Sequence, residues 1–116
     1  MLRASIKRLV LLGANCAALL CVACGKPVPP DKRDYVGAWL TDSMSLVITQ
    51  EGNVRYKRLV GGVKKSIEAP IKSFEGNDFV VGLGPVTTTF KVGKPPYQDS
   101  ATWKMVVDGV TLTKQK

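Results

Sequence analysis

No histidine occurs anywhere in the 116 residues, which removes imidazole acid–base catalysis and every zinc site that needs a histidine ligand. Cysteine is nearly as scarce. The three present, Cys16, Cys21 and Cys24, all lie in the first quarter of the chain, so the remainder can form no internal disulfide. Acids are few, with 9 Asp and Glu against 17 Lys and Arg. They are dispersed, without the spacing of a calcium loop or a pair of catalytic carboxylates. Ser66 beside Lys64 and Lys65, and Asp99 beside Ser100, make no Ser-x-x-Lys or comparable nucleophile motif, and polar turn residues account for them. The sequence therefore points away from an enzyme and implies no metal and no cofactor. Its length allows one domain and not two.

What is present begins with a leader. Arg3, Lys7 and Arg8 precede an almost wholly apolar run from Leu9 to Ala23. Such a run is short for a bilayer span, which takes roughly 20 apolar residues, and suits a secretory signal peptide. It ends in Leu20-Cys21-Val22-Ala23-Cys24-Gly25. Val22, Ala23 and Cys24 resemble the lipobox of bacterial prolipoproteins, with Cys21 where that family usually carries Leu. The resemblance implies cleavage after Ala23 and a diacylglyceryl thioether on Cys24. Cleavage with a free thiol and an uncleaved N-terminal anchor are the alternatives. A lone thiol is a liability in an oxidising compartment and a thioether is not, so the cysteine count favours lipidation. Three acyl chains, which the family implies, would hold the protein far more firmly than one. Gly25 rather than Asp after the lipidated cysteine goes, in that family, with the outer membrane, facing the periplasm where the source has two membranes.

The expected organisation is thus a signal peptide over 1–23, a lipidated cysteine and tether over 24–34, and a single β domain over 35–116. The stretch from Gly25 to Asp34 is rich in Pro and charge with no apolar periodicity, and reads as an extended tether about 30 Å long at most. Beyond it, turn residues recur densely: Gly52-Asn53, Gly61-Gly62, Gly76-Asn77-Asp78, Gly82 to Pro85, Gly93 to Pro96 and Asp108-Gly109. Between them lie short runs rich in Val, Ile, Thr and aromatics, which predicts an all-β fold. The expectation is a small antiparallel barrel or sandwich of seven to eight short strands. Its expected core is Trp39, Leu46, Ile48, Tyr56, Phe74, Phe79, Val81, Phe90, Trp103, Met105, Val107, Val110 and Leu112. A two-residue turn at Asp108-Gly109 sets Val107 opposite Val110 and Met105 opposite Leu112. A loop at Glu51-Gly52-Asn53 would set Ile48 opposite Tyr56. Gly37-Ala38-Trp39, with the later run from Leu46 to Val54, resembles the opening of small lipocalin-like domains, which implies an up-and-down barrel; a domain of about 80 residues leaves little room for the deep cavity of full-length lipocalins.

Two further features bear on partners. Arg55, Lys57, Arg58, Lys64 and Lys65 form a cationic cluster with Tyr56 among them and no acid. It reads as a solvated strand pair protected against aggregation, or as a patch for an anionic envelope polymer, lipid head group or acidic protein. Nucleic acid is excluded by export. Pro95, Pro96 and Tyr97 read as a rigid loop that could rim an interface. The functional expectation is a non-catalytic envelope lipoprotein contacting an envelope protein or a wall or lipid component; the alternative is a lipocalin-like binder of a small apolar or amphipathic ligand.

Overall fold

The computed structural model describes residues 26–116, and Cys24 with the rest of the leader lies outside them. Nine strands follow in order: β1 Gly37–Thr41, β2 Met44–Ile48, β3 Asn53–Val60, β4 Val63–Glu75, β5 Asp78–Leu83, β6 Val86–Phe90, β7 Val92–Asp99, β8 Thr102–Val107 and β9 Val110–Lys114. All pair antiparallel in one curled, half-barrel sheet of order β6-β5-β4-β3-β2-β1-β9-β8-β7. The fold is all-β, as the turn spacing predicts. Every neighbour in the sheet is a neighbour in sequence except β1 and β9, the first and last strands, which pair through Trp39 with Lys114 and Leu40 with Thr113.

The expected count of seven to eight strands is corrected to nine. Only Lys91 separates β6 from β7, the former pairing β5 and the latter β8. Two acids hold this corner. Asp78 Oδ1 accepts from the Val92 amide at 2.7 Å, and Asp108 Oδ1 accepts from the Lys91 amide at 2.9 Å while its own amide donates to the Lys91 carbonyl at 2.7 Å.

Alternation along the strands sends one set of side chains inward. Trp39, Leu46, Ile48, Tyr56, Phe79, Val81, Phe90, Met105, Val107 and Leu112 are buried, joined by Val28, Tyr35, Met44, Val54, Ile71 and Val92; Phe74, Trp103 and Val110 are partly buried against them. Phe79 stacks on Phe90 at 5.1 Å between ring centroids, and Tyr56 meets Phe90 edge-on at 5.0 Å. Among the described residues no charged or polar side chain is buried.

The last hairpin has the expected register, Val107 with Val110 and Met105 with Leu112. The second does not: Ile48 lies opposite Val54, and Tyr56 opposite Leu46. The loop is one residue earlier than expected, because Gly52, at φ +89°, serves as its last, left-handed member and Asn53 opens the next strand.

The segment preceding β1 is laid onto the sheet and is not a free tether over its described part. The Val28 amide donates to the Gln50 carbonyl at 2.9 Å, and Val28 is buried. Pro30–Tyr35 forms a short 3-10 helix with a proline at its start, where a missing N–H costs nothing. It delivers Tyr35 against Phe74 and Phe79, at centroid distances of 5.5 and 6.2 Å, and so covers one end of the curl.

Candidate functional site

The cationic cluster sits on the β3–β4 hairpin, where register decides which face each residue takes. Arg55 pairs with Glu68, Lys57 with Ser66, Arg58 with Lys65 and Leu59 with Lys64. Directly paired residues share a face, and Tyr56 with Ile67 marks the inner one. Arg55, Lys57 and Lys64 therefore project outward. Arg58 and Lys65 lie on the inner face, beyond the last buried pair, near the hairpin end. Arg55 meets Glu68 at 3.7 Å, with both side chains mostly in solvent, a pairing that contributes little. Among the described residues Lys57, Arg58, Lys64 and Lys65 have no acid within ion-pair distance. The five cations do not form one patch.

Pro95, Pro96 and Tyr97 are corrected from loop to strand. They lie in β7, whose pairing with β8 is irregular between Lys94 and Tyr97. β7 is an edge of the sheet, and an edge tolerates prolines because their missing donors face no neighbour. Tyr97 is half-buried, with the Lys94 ammonium 5.2 Å above its ring. This segment closes an edge of the sheet to pairing.

The feature that sequence reading missed is apolar. Val60 pairs with Val63, and Leu83 with Val86, each on the inward face by alternation from Tyr56 and Val81. Yet these four side chains are 54% to 75% exposed. The cause is the extent of the strands. β5 pairs with β4 only from Ile71 to Glu75, so over residues 63–70 β4 has β3 on one side and, among the described residues, no strand on the other. Between that free edge and the β5–β6 hairpin runs an open groove of about 400 Å³ lined by Ile67, Ala69, Val81, Leu83, Val86 and Thr88, among others. The Lys72 ammonium donates to the Gly84 carbonyl at 2.6 Å and ties the β5–β6 turn to the bulged part of β4. Valines flanking Gly61-Gly62 at a hairpin tip, where polar residues are expected, were the available signal.

No protein-family model, curated protein or solved structure matches this chain. The geometry stands alone. Among the described residues two ionisable groups depart from their ordinary behaviour, both away from the groove. Burial, and secondarily the Asp78 charge, raise the Tyr35 phenol, which donates to the Asn77 carbonyl at 2.9 Å. Burial lowers the Lys114 ammonium, opposed by the charge of Asp34; the ammonium lies 4.9 Å from the Trp39 ring and donates to the Asp34 carbonyl at 3.0 Å. Both belong to the covered end, and each serves the packing there. Among the described residues no three acids or cysteines gather as a metal site would require.

Proposed function

We propose that the protein is a non-catalytic module of the bacterial cell envelope, held at a membrane by lipid on Cys24, whose β domain contacts an envelope protein or a wall or lipid component. The observation that carries the contact role is the contrast between a filled interior and an open groove. Trp39, Leu46, Phe79, Phe90, Met105 and Leu112 occupy the space within the curl, while the inward apolar side chains at the β3–β4 and β5–β6 hairpins are left uncovered by the described residues. A binder of small ligands encloses most of its ligand, whereas an open groove suits a partner. The alternative, a lipocalin-like binder, draws on the up-and-down order with first and last strands paired, and its ligand would have to displace packed aromatic rings.

Fractionation of cells carrying Cys24→Ser tests the anchor: an unprocessed or soluble form without fatty-acid label is expected, and a variant that still sediments with membranes after high-salt washing overturns it. Cross-linking from intact membranes, beside native mass spectrometry of the purified protein, tests the role. A protein or wall partner is expected; a small molecule bound at stoichiometric occupancy overturns the contact reading in favour of a ligand binder.

A further inference from the structure

We infer that the free edge of β4 over residues 63–69 takes up an extended, acidic polypeptide segment of a partner protein as an added strand, its alternate apolar side chains seated in the groove against Leu83 and Val86. This names the partner chemistry of the contact role proposed above and rests on that reading.

Three observations converge on this edge. The first is the vacancy in the sheet: β4 continues beyond the position where β5 turns away, so a strand added there would extend the sheet along the line β5 has left. Main-chain hydrogen bonds give such strand additions their affinity, and alternate side chains give them specificity. The second is the alternation of the edge itself. Its inner face presents Val63, Lys65, Ile67 and Ala69, with Arg58 across from Lys65, so a partner strand would find apolar neighbours interrupted by two cations. An acidic residue set among apolar ones complements that order. The third is charge: Glu68, the one acid of this edge, is paired with Arg55, and cations without an ion-pair partner among the described residues flank the hairpin end on both faces, Arg58 and Lys65 inward and Lys57 and Lys64 outward. They repel a second copy of the same hairpin and attract an acidic strand.

The placement of the N-terminal segment separates a polypeptide from the anchoring bilayer. Val28 is bonded at Gln50, beside the start of β3, whereas the Val60-Val63 tip lies at its far end. Eight residues of strand separate the two ends, about 26 Å at the usual rise per residue. With the chain anchored at Cys24, the hairpin end is the end of β3 remote from the anchored segment.

The test uses the full chain purified in detergent and a fluorescent peptide of about eight residues, a typical strand length, with Val, Glu and Val at alternate positions and Thr between them, so that Val and Glu share one face. Saturable binding is expected, weakening with salt, lost when alternate peptide nitrogens are methylated, and unaffected by Lys94→Glu on the far edge. Arg58→Glu with Lys65→Glu, and separately Leu83→Ser with Val86→Ser, should each weaken it by about tenfold or more, with unchanged circular dichroism. Absence of saturable binding at millimolar peptide overturns the proposal. So does equal binding of the same peptide with Lys in place of its Glu, or undiminished binding of the methylated peptide. Phosphatidylglycerol vesicles that replace the peptide with the same dependence on Leu83 and Val86 would make the face a lipid-contact surface, and a dimer in sedimentation lost in those variants would make it a self-association surface; either result overturns the inference. Binding in detergent does not depend on the anchor, so failure here is distinct from failure of the Cys24→Ser fractionation.

Discussion

The two ends of the curled sheet obey one alternation rule and come to opposite states. At the end near residue 35, inward positions are sealed by chain that belongs to no strand: the 3-10 helix brings Tyr35 onto Phe74 and Phe79, Trp39 Nε1 donates to the Tyr35 carbonyl at 2.9 Å, and Val28 is buried beside the β2–β3 loop. At the other end Val60, Val63, Leu83 and Val86 occupy inward positions and none of the described residues covers them. Strand periodicity therefore selects a face, and coverage of that face depends on a segment with no periodicity at all. The stability of the domain should be concentrated at the covered end, and its capacity for contact at the open one.

Trp39→Ala gives the largest expected effect. The side chain has no exposed surface and one bonded ring nitrogen, so its removal should cost about 3–5 kcal/mol in urea unfolding. That is a large fraction of the 5–15 kcal/mol typical of a domain, and partial unfolding at 37 °C is the expected outcome. Trp103→Ala sharpens the contrast. Trp103 is only partly buried, packing on the core with the Lys114 ammonium 5.6 Å from its ring, and should cost about 1–3 kcal/mol. Equal losses for the two tryptophans, which share the Lys114 ammonium, would mean that the depth of burial does not set what each contributes to the covered end.

Gly52→Ala comes next. Its φ of +89° disfavours any side chain, and a Cβ there would collide with the Lys26 carbonyl oxygen. The variant must strain the loop or release the N-terminal segment, at about 1–3 kcal/mol. Hydrogen exchange distinguishes the two: release accelerates the Val28 amide, which donates to Gln50, while leaving the Met105 and Leu112 amides in the last hairpin as they were.

How far the sequence is legible follows from which forces are local. The Asp108-Gly109 hairpin was readable to the residue, because turn length and apolar alternation specify the same register. The β2–β3 hairpin was readable in face but not in pairing, since a glycine in the middle or at the end of a three-residue loop fits the pattern. Pro95 and Pro96 concealed β7, because prolines argue against a strand unless it is known to be an edge, and edges are decided by the whole sheet. Val28 was hidden in a segment whose composition suits a tether, and Tyr35 stood just after it at the start of the expected domain; only the docked aromatic cluster gives them something to bury. The cationic cluster was visible as a run, yet its division between two faces depends on the β3–β4 register, and the open groove depends on where β5 turns away.

Alkaline titration probes the covered end with a smaller effect. Because the Tyr35 phenol is raised in the folded protein, folding favours its protonated form, and stability falls as pH rises above the unfolded value of about 10. Lys114 works in the opposite sense: its lowered value favours the neutral amine, so the penalty it carries at neutral pH is relieved as pH climbs toward the ordinary lysine range. Tyr35→Phe should lose about 1 kcal/mol at pH 7 through the missing bond to Asn77 and show a shallower decline above pH 10 than the parent. Lys114→Met should remove the rise and leave the decline. Urea midpoints measured across pH 7 to 11 read both.

The smallest expected effect is the most direct comparison of the two ends. Leu83→Ser and Val86→Ser remove apolar side chains from inward positions, as Trp39→Ala does, but these side chains are 67% and 75% exposed and pack against little. Their transfer from water on folding is slight, so each change should move stability by no more than about 0.5 kcal/mol, with an unchanged urea m-value. A loss well above 1 kcal/mol would mean that the groove is covered in solution, by chain outside residues 26–116 or by a second molecule, and the distinction between a sealed end and an open one would fail. Unchanged stability, together with lost binding of the acidic peptide in the same variants, separates contact from folding at these two residues: apolar side chains on the inner face of a sheet, held there at no benefit to the fold, are accounted for by what they touch in a partner.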